Sequence, residues 1–146
     1  MIRNRTDART LSGDTLAYLG DSVIEICVRA YLVEKGNAQS GDLNRAAHRF
    51  VCAPAQAEAA KLVLPVLSEE EAGVYRRAYN RGHLQNVPRN ATVMQYRMAT
   101  GLEALFGFLY LCGEFERIRT LFRIGYPEAE DAELRCFSVD IPFAEN

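Results

Sequence analysis

Apolar residues recur three and four positions apart along most of the chain, which is the spacing that gives an α-helix one buried face. Six segments show this spacing: residues 15–35, 40–52, 54–64, 68–81, 93–112 and 114–124. The fifth is apolar on nearly all sides after Ala99, which is typical of the central helix of a bundle. The pattern therefore predicts an all-α fold.

Residues at the ends of these segments support the helix assignments. Asp14 is the expected N-cap of the first helix, and Gly36 is expected to end it. Ser68 followed by Glu71 forms the sequence signature of a capping box. Thr92 is placed to cap the long fifth helix.

Two segments lack helical spacing. Residues 82–90 contain Pro88 and are expected to form a loop. Residues 125–146 are expected to be irregular, with a short strand at 136–141 as the one possible regular element. The phenylalanines and tyrosine of the fifth helix, Phe106, Phe108 and Tyr110, are covered either by the chain's own core or by a second subunit.

Composition and charge narrow the class of protein. The chain has 146 residues and 49% hydrophobic residues, as expected for one globular domain. The net charge of −2 divides unevenly, because residues 1–126 carry +3 and residues 127–146 carry −5. We therefore expect a helical body over 1–126 and an acidic C-terminal tail over 127–146. No apolar run is long enough to span a membrane, no segment has the pattern of a signal peptide, and the four cysteines lack zinc spacing, so a cytoplasmic protein is expected.

Two acids stand out because they interrupt apolar helical segments. Asp21 follows Gly20, and Glu103 lies between Gly101 and Gly107. Glycines on both helices would let the backbones approach closely and bring the two carboxylates together. Such a pair suits Mg²⁺, which takes few protein carboxylates and keeps water and substrate phosphate as its other ligands. A metal held in this way can activate water and stabilise the leaving oxygen of a phosphodiester.

A structural role for the same acids is the alternative, and on spacing alone it is the more common case. Asp21 could be partly exposed beside a Glu25–Arg29 pair, and Glu103 could pair with an arginine across the bundle. Acids in apolar helices are often held in structural ion pairs.

The residues around both acids resemble a known family. Residues 16–23 (Leu-Ala-Tyr-Leu-Gly-Asp-Ser-Val) resemble the ribonuclease III signature, and residues 103–107 (Glu-Ala-Leu-Phe-Gly) resemble the second acidic motif of that family. The version here is similar to the Mini-III ribonucleases, which are catalytic domains without a double-stranded-RNA-binding domain. The resemblance covers about residues 12–124, which makes the helical body the expected catalytic domain.

The resemblance implies a helical homodimer that cleaves double-stranded RNA with Mg²⁺, and a precursor of large-subunit (23S) ribosomal RNA as the substrate. Asp21 matches the family's catalytic aspartate, and Glu103 matches its metal-binding glutamate. The larger enzymes carry further acids where this chain has Ala17 and Thr100, a departure that the Mini-III version shares. The loop at 82–90 is shorter than the usual Mini-III loop.

Arginines dominate the basic residues, since only two lysines occur in the chain. Arginine presents a planar fork that suits phosphate, and duplex RNA is recognised mainly by shape and backbone. We expect Arg81, Arg89, Asn90 and Arg97 to contact RNA. For Arg76 and Arg77, a solvated helix face is an equal alternative. A non-catalytic RNA-binding module and a helical adaptor protein are the competing functions, and the retention of both acids argues against each.

Overall fold

A computed structural model describes residues 1–36, 40–81 and 87–137. Within them the chain forms α1 (Arg5–Arg9), α2 (Gly13–Lys35), α3 (Ser40–Val51), α4 (Ala53–Val63), α5 (Glu69–Asn80), α6 (Val93–Leu111) and α7 (Phe115–Gly125). Short 3-10 turns follow α4 at Leu64–Val66 and α7 at Pro127–Ala129. The described residues contain no strand, so the predicted all-α fold is confirmed.

Helix α6 is the centre of the bundle, as its apolar sequence predicted. It contacts α1, α2, α4, α5 and α7, and Leu105, Phe108 and Leu109 are fully buried. Each such side chain contributes about 1.5–3 kcal/mol by leaving water. Phe106 and Phe108 are covered within one chain, while Tyr110 stays 37% exposed beside Phe115 and Phe137.

The predicted capping box of α5 and the predicted Thr92 cap of α6 are both present, and Thr92 also forms a capping box. Ser68 and Glu71 exchange hydrogen bonds at the start of α5, and Thr92 does the same with Gln95 at the start of α6. Glu71 is buried and also accepts two hydrogen bonds from Arg117, both of 2.9 Å. The capping residue therefore also ties α5 to α7.

The predicted cap of α2 is wrong. Ser12 is the N-cap, with its hydroxyl accepting from the Thr15 amide at 3.1 Å, and Asp14 lies inside the first turn. Serine caps a helix as well as aspartate does, and the earlier start lets Gly13 pack tightly against α5. Gly36 ends the helix with a φ of 87°, as expected.

Helix α1 was not predicted, because five residues are too few to show helical spacing. Asn4 caps it, and Arg5 holds it to the body by donating hydrogen bonds to Glu70 and Glu114. The Arg5 guanidinium also lies over the ring of Phe108, 5.5 Å from its centre. Polar contacts thus anchor a segment that the apolar pattern left out.

The C-terminal segment, residues 126–137, packs against the helical body. Ala129 and Leu134 are fully buried. Arg123 of α7 donates hydrogen bonds to the backbone oxygens of Ala132 and Glu133, at 2.8 and 3.0 Å. As expected, the segment is irregular apart from one 3-10 turn.

Two sequence predictions fall partly outside the described residues. Positions 136 and 137 form a turn rather than the start of the predicted strand, and residues 138–141 lie outside the described ranges. Of the predicted loop at 82–90, the described residues 87–90 are non-helical. Among the described residues, no helix is both long and apolar enough to cross a membrane.

Candidate active site

Glycines bring α2 and α6 into direct backbone contact. A Cβ atom at Gly20 would lie 1.6 Å from the backbone oxygen of Glu103, and one at Gly107 would lie 2.1 Å from the backbone oxygen of Leu16. No side chain fits at either position, so this glycine crossing (Gly20 on α2 and Gly107 on α6) is as predicted. Gly101 plays a different part from the one expected, because a Cβ there would meet the Tyr75 ring on α5 at 2.6 Å.

The crossing places both predicted acids beside one surface hollow, the acidic depression, of about 530 Å³. Residues of α2 and α6 form its lining: Asp14, Ala17, Tyr18, Leu19, Asp21, Ser22, Tyr96, Thr100 and Glu103. Asp21 comes from the exposed face of α2, and Glu103 is half-buried on α6. Because Gly20 directly precedes Asp21 and contacts the backbone of Glu103, the close approach of the helices itself sets the placement of the two carboxylates.

No cationic side chain of the described residues neutralises either acid. Within the described part of the chain, Asp21 and Glu103 form no salt bridge, whereas Glu25 pairs with Arg29 at 2.8 Å. The exposed Asp21 beside the Glu25–Arg29 pair therefore matches the structural alternative, whereas no arginine pairs with Glu103 among the described residues. Burial, together with the charge of Asp21, raises the pKa of Glu103 to about 8. Burial, together with the charge of Glu25, also raises the pKa of Asp21.

The charge of Asp21 thus disfavours ionisation of Glu103, because like charges facing one hollow repel each other. A divalent cation between them would reverse that penalty. The described residues hold no group of three or more acidic, histidine or cysteine side chains arranged around a single metal position. Two carboxylates nonetheless fit Mg²⁺, since this ion is usually bound through one or two carboxylates and retains several waters.

Sequence reasoning missed Asp14, which lines the same depression. Asp14, Ala17 and Asp21 are spaced by three and four, so they share one face of α2. That spacing could have identified Asp14 as a site residue. It was overlooked because Asp14 was assigned as the helix cap. Ala17 and Thr100 also line the depression, so the two departures from the larger ribonuclease III enzymes fall within this site. The Thr100 hydroxyl donates to the backbone oxygen of Tyr96 at 3.0 Å.

The four predicted RNA-contact residues lie away from the acids, and none belongs to the described lining of the depression. Arg81 caps the C-terminus of α5, while Arg89 and Asn90 are exposed in the turn before α6. The Arg97 guanidinium lies over the Tyr79 ring at 6.0 Å, and its Nε is buried without a hydrogen-bond partner. Arg97 is thus packed on α5 rather than freely exposed.

Comparison with known proteins identifies the same architecture and motifs. The Ribonuclease III domain family matches residues 14–114. The Mini-ribonuclease 3 of Symbiobacterium thermophilum is 46% identical over 110 residues, which cover 75% of this chain and 83% of that protein. The Mini-ribonuclease 3 of Enterococcus faecalis is 41% identical over 118 residues, covering 79% and 88%.

A solved structure shares the fold. The crystal structure of a protein from Fusobacterium nucleatum superposes with a TM-score of 0.75 at 34% identity, covering 84% of this chain and 97% of that one. The matched family segment contains Asp14, Asp21, Thr100 and Glu103, all of which line the acidic depression. This chain therefore belongs to the ribonuclease III family of endoribonucleases, and along most of its length it is similar to the Mini-ribonuclease 3 proteins.

Proposed function

We propose that this chain is a magnesium-dependent endoribonuclease that cleaves double-stranded RNA. Its proposed substrate is the precursor of large-subunit (23S) ribosomal RNA, which it would process in the cytoplasm. Residues 1–126 are its proposed catalytic domain. The observation that carries the proposal is the half-buried Glu103 carboxylate, which faces the same depression as Asp21 and has no neutralising cation among the described residues.

Asp21 and Glu103 are the residues that would hold Mg²⁺, and the bound ion would supply electrophilic activation of the scissile phosphodiester. Glycine contact at the crossing fixes the spacing of the two helices that carry them. Burial strengthens their charge interactions by excluding part of the water. The depression is open and polar enough to admit a phosphodiester backbone.

The test of catalysis is incubation of the purified chain with a labelled RNA duplex, in Mg²⁺ and in EDTA. We expect Mg²⁺-dependent cutting by the wild type, and none by Asp21→Asn or Glu103→Gln. Glu25→Gln is the matched control, because Glu25 lies one turn from Asp21 on α2 but pairs with Arg29. This control is expected to cut like the wild type.

Metal binding has a readout apart from cleavage. Ligands that bind only the folded state raise its melting temperature, so Mg²⁺ should stabilise the wild type and the Glu25→Gln control more than Glu103→Gln. Duplex binding without cutting by the wild type would contradict the proposal and favour a non-catalytic RNA-binding module. If the chain cuts a 23S precursor duplex no faster than an unrelated duplex, the proposed substrate is wrong.

RNA contact through Arg81, Arg89, Asn90 and Arg97 belongs to the same proposal. Arg89 and Asn90 are exposed, and Arg89 has no ion-pair partner among the described residues. Because phosphate contacts release counterions, Arg89→Ala should weaken duplex binding and flatten its salt dependence. An unchanged affinity and slope would exclude Arg89 from the contact surface.

The active form is proposed to be a homodimer, with a second copy covering the exposed apolar stripe of α2. Tyr18, Ile26 and Val33 are 85%, 44% and 66% exposed, and their spacing places them on one helix face. Sedimentation velocity should show a dimer that Ile26→Arg dissociates. Leu62→Arg is the control, because Leu62 on α4 is equally exposed at 46%. A monomeric wild type would contradict the proposal.

A further inference from the structure

A second polar hollow lies beside the start of α2, at the junction with α1. This arginine pocket has a volume of about 460 Å³. Arginines from two helices contribute to its lining: Arg9, the last residue of α1, Arg77 in the last turn of α5, and Arg81 at the C-cap of α5. Ser12 and Asn80 add uncharged polar groups. No acidic residue belongs to its described lining.

The convergence of these arginines follows from a close helix contact. A Cβ at Gly13 would lie 2.7 Å from the Cα of Ala78, so the first turn of α2 rests directly on α5. Arg77 and Arg81 flank Ala78 in sequence, and the contact brings both beside the α1–α2 junction. The arrangement thus depends on the glycine at position 13.

The cations in this pocket are largely unneutralised. Arg9 contacts Glu70 at 3.4 Å in an exposed pair. Arg77 and Arg81 have no ion pair among the described residues. Like charges gathered in one hollow repel each other, and a bound anion relieves that repulsion. Guanidinium groups suit phosphate in particular, because they can donate two parallel hydrogen bonds to it.

We infer that the arginine pocket binds a backbone phosphate of the same RNA duplex that enters the acidic depression, an inference that rests on the proposed function. The two hollows meet on consecutive residues of α2, since Gly13 lines the arginine pocket and Asp14 lines the depression. Asp21 lies seven residues further along, or about 10 Å at the helical rise. A strand held in the arginine pocket therefore runs past the acids, and Arg9 and Arg77 join Arg81 in RNA contact.

The experiment measures binding of a labelled RNA duplex in EDTA, where metal-dependent cutting is prevented, over a range of salt concentrations. Arg77→Ala should weaken binding about tenfold and lower the slope of log K against log salt by about 1. The double variant, with Arg9→Ala and Arg77→Ala, should lower the affinity for the duplex and the size of the salt slope further. Arg76→Ala is the matched control, because it removes the same charge from the adjacent position, which is also exposed but lies outside the pocket lining.

A measurement with inorganic phosphate distinguishes a pocket that binds an RNA backbone phosphate from one that binds a free phosphate ion. If phosphate raises the melting temperature of the wild type but not of Arg77→Ala, while both bind RNA equally, the pocket takes a free anion and the inference is overturned. It is also overturned if Arg77→Ala matches Arg76→Ala in affinity and slope while the wild type still cuts duplexes in Mg²⁺. In that case the proposed function stands. A wild type that neither binds nor cuts duplex RNA rejects both.

Discussion

The glycine crossing and the C-terminal segment are held to the bundle in opposite ways. At the crossing, α2 and α6 meet backbone to backbone, with no room for a Cβ at Gly20. The C-terminal segment is held by side chains, through the buried Leu134 and through hydrogen bonds from Arg123 to two carbonyl oxygens. The region beside the proposed active site is therefore fixed by direct backbone contact, which leaves it little freedom to adjust.

The largest expected effect is at the crossing. Gly20→Ala should lower the free energy of unfolding by about 3 kcal/mol or more, because the new methyl group would overlap backbone atoms that cannot rotate away. Urea denaturation measures the change. Gly41→Ala in α3 is the control: a Cβ there meets nothing within 4 Å, and helix propensity predicts a gain of about 0.5–1 kcal/mol. If Gly20→Ala and Gly41→Ala changed the free energy of unfolding equally, the close backbone contact at Gly20 would not be important for stability.

The next effect is in the C-terminal segment. Leu134→Ala should cost about 2–3 kcal/mol of unfolding free energy, because Leu134 is fully buried and its loss leaves a cavity. Leu62→Ala should cost much less, since Leu62 is 46% exposed. A loss at Leu134 no larger than at Leu62 would mean that the segment does not contribute to the core.

A smaller loss is expected from the polar attachment of that segment. Arg123→Ala removes two hydrogen bonds from a charged donor, which should cost about 1–2 kcal/mol by urea denaturation. Arg29→Ala breaks only an exposed pair with Glu25 and should change stability by about 0.5 kcal/mol or less. If the two variants lose the same stability, the carbonyl contacts add nothing beyond a surface ion pair.

A pH dependence of stability is also expected at the crossing, and it is measured in EDTA. The pKa of Glu103 is about 8 in the folded chain, against an ordinary 4.5. Folding therefore takes up a proton between those values, and stability should fall as the pH rises from about 4.5 to 8. Glu103→Gln should flatten this dependence, and Glu25→Gln should keep it. A profile unchanged by Glu103→Gln would show that the carboxyl is not perturbed.

Apolar spacing predicted α2 to α7 because each buries either one face or, in α6, nearly all of its surface. The two acids of the candidate site were equally visible in the sequence, because Gly20 and Gly107 signal a close helix contact beside Asp21 and Glu103. Asp14 was misassigned because serine and aspartate are equally good caps, and the choice depends on how Gly13 packs.

The sequence did not predict helix α1 or the packing of the C-terminal segment on the body, and both have the same cause. Helix α1 is held by Arg5 and the C-terminal segment by Arg123, through bonds between residues far apart in sequence or to backbone oxygens. Neither kind of contact produces a periodic pattern of apolar residues in the sequence. The arginine pocket likewise forms only when Ala78 meets Gly13 in the folded chain.

Tyr18 gives this protein a convenient optical probe. The chain contains seven tyrosines and no tryptophan, and Tyr18 is 85% exposed where it lines the acidic depression. A Tyr18→Trp substitution would therefore install the single indole fluorophore of the chain at the position where the proposed RNA substrate or second copy would exclude water. Its spectral shift would follow association in real time without any label on the nucleic acid.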